Sequence, residues 1–147
     1  MTGEMSKLIE TTCLYCTKDE KILSGLLEIA ELKVSKFYLS KDQTYAGRAV
    51  VVLNWHAKEL FDLTVTERHA FADDVAQAAQ ALQQTFLPNK INYAIYGDMV
   101  PHLHCHLAPK YEGGDNWGAP FNNNPESKKL VSSEEYQVLI NRIRTAL

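Results

Sequence analysis

The chain has 147 residues, 46% of them apolar and 22% charged, and carries a formal net charge of −3. That length allows one domain with a real core and no disulfide staples. The acidic balance excludes broad binding to nucleic-acid backbones, which needs a basic face, but a locally positive site can still take a small anion. Met1 to Glu10 lacks the apolar stretch of a signal peptide, and the longest aliphatic run, Ala49 to Leu53, is far too short to span a bilayer. The expectation is therefore a cytoplasmic protein with neither a membrane nor a nucleic-acid polymer as partner.

In chain order, residues 1–10 read as a loose leading segment. A first helix is predicted from about Lys18 to Lys33, because Leu23, Leu26, Leu27 and Ala30 fall on one face at helical spacing. Val34 to Leu39 reads as a strand and Asp42 to Gly47 as a turn. Arg48 to Asn54 reads as a strand buried on both faces, since Ala49 to Leu53 is apolar throughout. Thr64 and Glu67 form a capping box for a second helix, whose stripe of Phe71, Val75, Ala78, Leu82 and Phe86 ends before Pro88. Ile91 to Tyr96 and Leu103 to Leu107 read as strands, and residues 112–130, rich in Gly, Asn and Pro, as a long loop. Ser132 and Glu135 cap a last helix reaching about Ala146. Strands grouped between helices predict an α+β domain over 1–147.

Three of the five histidines sit at alternate positions, His102, His104 and His106. In a strand, residues i, i+2 and i+4 share a face, so the three imidazoles line one surface while Leu103, Cys105 and Leu107 face apolar packing. Imidazole has a reference pKa of about 6.5, so one ring can be a neutral nucleophile while its neighbour handles protons. Three cysteines, two of them in Cys13-x-x-Cys16, make a poor disulfide framework and a better metal or redox pair. By contrast, His69 falls on the solvated face of its helix and is given no role.

The run His102-Leu103-His104-Cys105-His106-Leu107-Ala108 resembles the signature of the histidine triad family, in which three histidines alternate with apolar residues. The likeness extends from about Cys13 to the C-terminus and includes Gly47-Arg48, His56 to Thr64 and Asp115-Asn116-Trp117-Gly118. It implies a sheet of about five antiparallel strands with packing helices, and a homodimer. It also implies a mechanism. His104 attacks the α-phosphorus of a nucleotidyl substrate, a nucleotidyl-histidine forms, His106 contacts phosphoryl oxygens and manages protons, and water releases a nucleoside monophosphate. His102 orients His104 partly through its backbone carbonyl. Diadenosine polyphosphates and nucleoside phosphoramidates are the implied substrates. Transfer of the nucleotidyl group to a phosphate acceptor is one rival, and a zinc-stabilised nucleotide-binding protein with little turnover is another.

Zinc-bearing relatives hold the ion with a cysteine pair, a histidine after the buried strand and the first triad histidine. The resemblance thus implies structural zinc on Cys13, Cys16, His56 and His102, with no metal needed in the chemical step. A free thiol pair or a redox pair remains the alternative for the cysteines. For the nucleotide, Asp42 (or Ser40) is placed at the ribose, with Asn92 and Lys110 at phosphate. Asp42 could equally just make its turn, and Asn92 just end a strand. Trp117 and Phe121 either stack on a base or close the site, or else anchor the loop or make a dimer contact. Many relatives place a side-chain donor just before the triad, whereas here Pro101 stands there and lacks even a backbone N–H.

Overall fold

Five antiparallel strands form one sheet in the computed structural model, which describes residues 9–18 and 24–147. They are β1 (Leu26–Glu31), β2 (Ser35–Ser40), β3 (Ala49–Leu53), β4 (Lys90–Ala94) and β5 (His104–Lys110), in the spatial order β1-β2-β3-β5-β4. Helices α1 (Val65–Phe86) and α2 (Ser133–Ala146) pack on one face. That face carries Phe37, Leu39, Ala49, Val51, Leu53, Cys105 and Leu107, all buried against Phe71, Ala78 and Leu82 of α1 and Ile140 and Ile143 of α2. The architecture is α+β, as the alternation of patterns predicts. No helix among the described residues is long and apolar enough to cross a membrane.

Both helix starts follow their sequence signals. Thr64 accepts from the Glu67 backbone N–H while the Glu67 carboxylate reaches back to Thr64, and Ser132 accepts from Glu135 N–H. Every residue of β3 is buried, because the helices cover one face while the 9–18 segment and the late loop cover the other.

The helix predicted over Lys18 to Lys33 is a correction. Residues 26–31 are strand β1, and residues 19–23, including Leu23, lie outside the described residues, as do residues 1–8 of the leading segment. A β-bulge between Glu28 and Ala30 explains the misleading spacing. Leu27 opposes Leu39 and Ala30 opposes Phe37, so three residues of β1 span two of β2 and the apolar side chains recur at i and i+3. The register also brings Glu28 and Glu31 within 3.4 and 3.7 Å of Lys36.

Two buried polar groups set the strands in place. Asp74 of α1 accepts from Lys33 N–H, Val34 N–H and the Ser35 hydroxyl at 3.2, 2.9 and 2.6 Å, tying the β1–β2 turn to the helix. In the β2–β3 turn, Gln43 donates to the Ser40 carbonyl and accepts from Gly47 N–H. Gly47 has φ +89°, and a Cβ there would lie 2.6 Å from the Phe86 ring, so the turn needs glycine both for conformation and for space.

Candidate active site

β3 and β5 pair so that His104 opposes Val52 and His106 opposes Val50. The histidines therefore project from the sheet face opposite the helices, while Leu103, Cys105 and Leu107 enter the core. His102 and His104 are buried and His106 is half-buried. The rings of His104 and His106 meet edge to face with centroids 4.9 Å apart.

The backbone fixes the protonation geometry of His104. Its Nδ1–H donates to the His102 carbonyl at 2.5 Å, which leaves Nε2 as the nitrogen with a free lone pair. Burial lowers the pKa of His104, so the ring is neutral at neutral pH. Burial, then His104, then the nearby Arg48 guanidinium push His106 down to about 3. A proton on His106 thus has to be stabilised by an anion entering the site. His104 and His106 open on a cavity of about 420 Å³ that is also lined by Tyr15, Tyr96, Asp98, Val100 and Asn123. The Tyr15 ring leans over His104 with centroids 5.0 Å apart.

The second cluster sits at the other end of the triad. The Sγ atoms of Cys13 and Cys16 lie 3.3 and 3.4 Å from His102 Nδ1, and Cys16 Sγ lies 3.6 Å from His56 Nδ1. All four ligand atoms fall within 4.8 Å of one another. A tetrahedral ion with bonds of about 2.3 Å to sulfur and about 2.0 Å to nitrogen separates S and N by about 3.5 Å, so the spacing suits such an ion. His102 Nε2–H donates to the Leu53 carbonyl at 2.8 Å, which turns the Nδ1 lone pair toward the thiols. The cluster can hold a metal ion. Cys13 and Cys16 are free thiols, with no disulfide between them.

The nucleotide residues inferred from sequence are placed elsewhere. Asp42, Asn92 and Lys110 do not line the His104 cavity. Asp42 Oδ1 accepts from Thr44 N–H, the Thr44 hydroxyl and Lys129 N–H, closing its turn, while Oδ2 is buried without a partner. The buried Lys110 ammonium donates to the Asn116 and Ala119 carbonyls and braces the late loop. Asn92 and Lys110 line a neighbouring cavity of about 610 Å³ with Trp117 and Phe121, and Tyr96 borders both cavities. Phe121 is buried against Tyr45 and 6.4 Å from the His106 ring, while Trp117 stays 42% exposed.

Three residues at this site escape the sequence reading of its chemistry. Tyr15 lies between the two cysteines, where only the C-x-x-C pattern draws attention. Arg48 is the lone cation entering an otherwise apolar strand, a signal that could have marked it. Asn123 stands in a run of three asparagines with nothing to single it out.

The sequence profile of the HIT domain matches residues 29–113. The chain belongs to the histidine triad family. A HIT-like protein of Mycoplasma genitalium is 28% identical over 140 residues, which cover 92% of this chain and 96% of that one. A histidine triad protein from Sinorhizobium meliloti superposes with a TM-score of 0.80 at 25% identity, covering 88% of this chain and 95% of its own. A histidine triad protein from Mycobacterium smegmatis, described as zinc-bound, superposes with a TM-score of 0.64 at 21% identity, covering 92% of each chain. Members of the family are often nucleotide hydrolases or nucleotide-binding proteins.

Proposed function

We propose that this protein hydrolyses nucleotidyl substrates at the α-phosphate. His104 Nε2 attacks the phosphorus, an N–P bond forms, and the P–O or P–N bond to the leaving group breaks as the leaving group takes a proton from His106. Water then attacks the nucleotidyl-histidine and gives a proton back to His106, the N–P bond breaks, and the products are a nucleoside monophosphate and free His104. The observation that carries the reading is the 2.5 Å Nδ1–H bond from His104 to the His102 carbonyl. It selects the tautomer with a nucleophilic Nε2, and its setting is a cavity large enough for a phosphoryl group and its ester. Diadenosine polyphosphates and nucleoside phosphoramidates are the proposed substrates.

The metal proposed for Cys13, Cys16, His56 and His102 is zinc. A two-thiol, two-imidazole set of tetrahedral size suits it, and the zinc-bound mycobacterial relative supports it. When bound, the ion ties the 9–18 segment to the ends of β3 and β5 and so holds the strand that carries His104. A homodimer is also proposed. Among the described residues β4 pairs with β5 alone, which leaves its outer edge open there, and Tyr93 and Ile95 are exposed beside an apolar groove lined by Leu60, Phe71 and Val75. Light scattering should give twice the chain mass; a monomer at micromolar concentration would remove that part of the proposal.

The deciding experiment follows AMP release from diadenosine tetraphosphate and from adenosine 5′-phosphoramidate. Wild type should release AMP, and His104→Gly should lose at least about 10⁴-fold in kcat while keeping its fold. Equal rates for the two proteins would refute His104 as nucleophile. Nucleotide affinity without release in the wild type would instead mark a binding protein.

A further inference from the structure

The segment leading into the triad brings no side-chain hydrogen-bond donor to the phosphate. It contributes Gly97, Asp98, Met99 and Val100 to the His104 cavity, followed by Pro101, and its one charged group is an anion. A phosphoryl group under attack gathers negative charge on its non-bridging oxygens and needs donors aimed at them.

The late loop supplies one. Asn123 is exposed at the wall of this cavity, and its Oδ1 accepts from Arg48 Nη2 at 2.7 Å. A guanidinium has only donors, so the amide must turn its oxygen toward Arg48 and its NH₂ away from it. Arg48 itself is an unusual group to bury. It is 6% exposed, its Nε has no partner, and it makes no ion pair, the ion pairs among the described residues being those of Lys36 with Glu28 and Glu31. Its guanidinium lies 5.2 Å from the centre of the Phe121 ring, and that ring flanks His106. Asp42 lends the guanidinium a Coulombic field without touching it, and holding a cation there with no carboxylate in contact is costly unless its own field is used. A charge-assisted bond to Oδ1 also polarises the amide, which makes its N–H groups better donors.

We infer that Asn123 is a phosphate ligand of the His104 cavity: its Nδ2 donates to a non-bridging oxygen of the phosphoryl group, and Arg48 acts as the positioning residue that orients the amide. The inference rests on the nucleotidyl reading of the site and moves a donor role from the segment before the triad to a loop that follows it.

The test is Asn123→Asp, which keeps an acceptor for Arg48 but replaces the donors with a carboxylate, beside Asn123→Ala. Turnover of diadenosine tetraphosphate, AMP affinity by calorimetry and Tm are measured on each. The expected result for Asn123→Asp is a wild-type or higher Tm, about 10²-fold lower kcat and at least tenfold weaker AMP binding. Wild-type kcat and AMP affinity in Asn123→Asp would show a loop anchor only and overturn the assignment. For Arg48, Arg48→Lys should lower kcat in the wild-type background and cost nothing further on top of Asn123→Ala; additive losses would overturn its positioning role. Wild type that binds AMP through Asn123 but releases none from the dinucleotide would defeat the hydrolase reading while supporting the ligand assignment. Wild type that neither binds nor cleaves would overturn both.

Discussion

The two faces of β5 and of the two residues that lead into it are built from alternate residues of one extended run, yet they answer to different physics. Leu103, Cys105 and Leu107 are at most 2% exposed and belong to the apolar core, so their contribution is burial and packing. His102, His104 and His106, one residue out of phase, are also largely withdrawn from water, but each keeps a nitrogen engaged or available. His102 faces the two thiols, His104 bonds to a carbonyl, and His106 borders the cavity. The core face therefore tolerates any well-packed apolar set, whereas the histidine face depends on which atom points where. A substitution on the first should change stability, and one on the second should change chemistry.

That contrast can be broken most sharply with Leu107→Ala set against His104→Gly. Leu107 is fully buried, so its truncation should lower unfolding free energy by about 2–5 kcal/mol in urea while turnover per folded molecule stays within a few-fold. His104→Gly should do the reverse. Leu107→Ala that loses turnover without losing stability would mean that the two faces are not separable.

The cysteine–histidine cluster adjoins the two faces, because His102 lies two residues before His104, where β5 begins. Chelation of the metal-loaded protein should lower Tm, since an ion bound only by the folded state stabilises it by about 2.7 kcal/mol at a hundredfold excess over its Kd. Cys13→Ala should abolish that chelator dependence. A Tm indifferent to both chelator and added zinc would leave Cys13 and Cys16 as a packed thiol pair.

The most gradual effect concerns His106. Its folded-state value of about 3 lies below the ordinary imidazole value of about 6.5, so the unfolded chain takes up this proton first as pH falls. Its contribution to stability is complete above about 6.5 and is lost toward 3, at no more than about 1.4 kcal/mol per pH unit. His106→Gln should show a shallower fall in Tm across that window than wild type. Parallel curves would mean that His106 is not held neutral in the folded protein.

Much of the site was legible because alternation and local capping are written residue by residue. His102, His104 and His106 had to share a face once they lay on an extended segment, and Thr64 with Glu67 had to cap a helix. The cysteine pair with His56 and His102 was legible through the family resemblance, and the structure brings those four side chains together. β1 was not legible, because its bulge imitates the spacing of a helix and only the pairing with β2 reveals it.

The sequence by itself determined the alternating triad, the helix starts and the all-buried central strand. Each of these depends on spacing along a single element. Tertiary structure alone decided that Lys110 braces the late loop, that Asp42 Oδ1 closes a turn, and that Arg48 and Asn123 meet across 75 residues beside the histidines. Those outcomes depend on which chain segments cover the open face of the sheet. That is settled by long-range packing and by the need of buried polar groups for partners, and no local period records either.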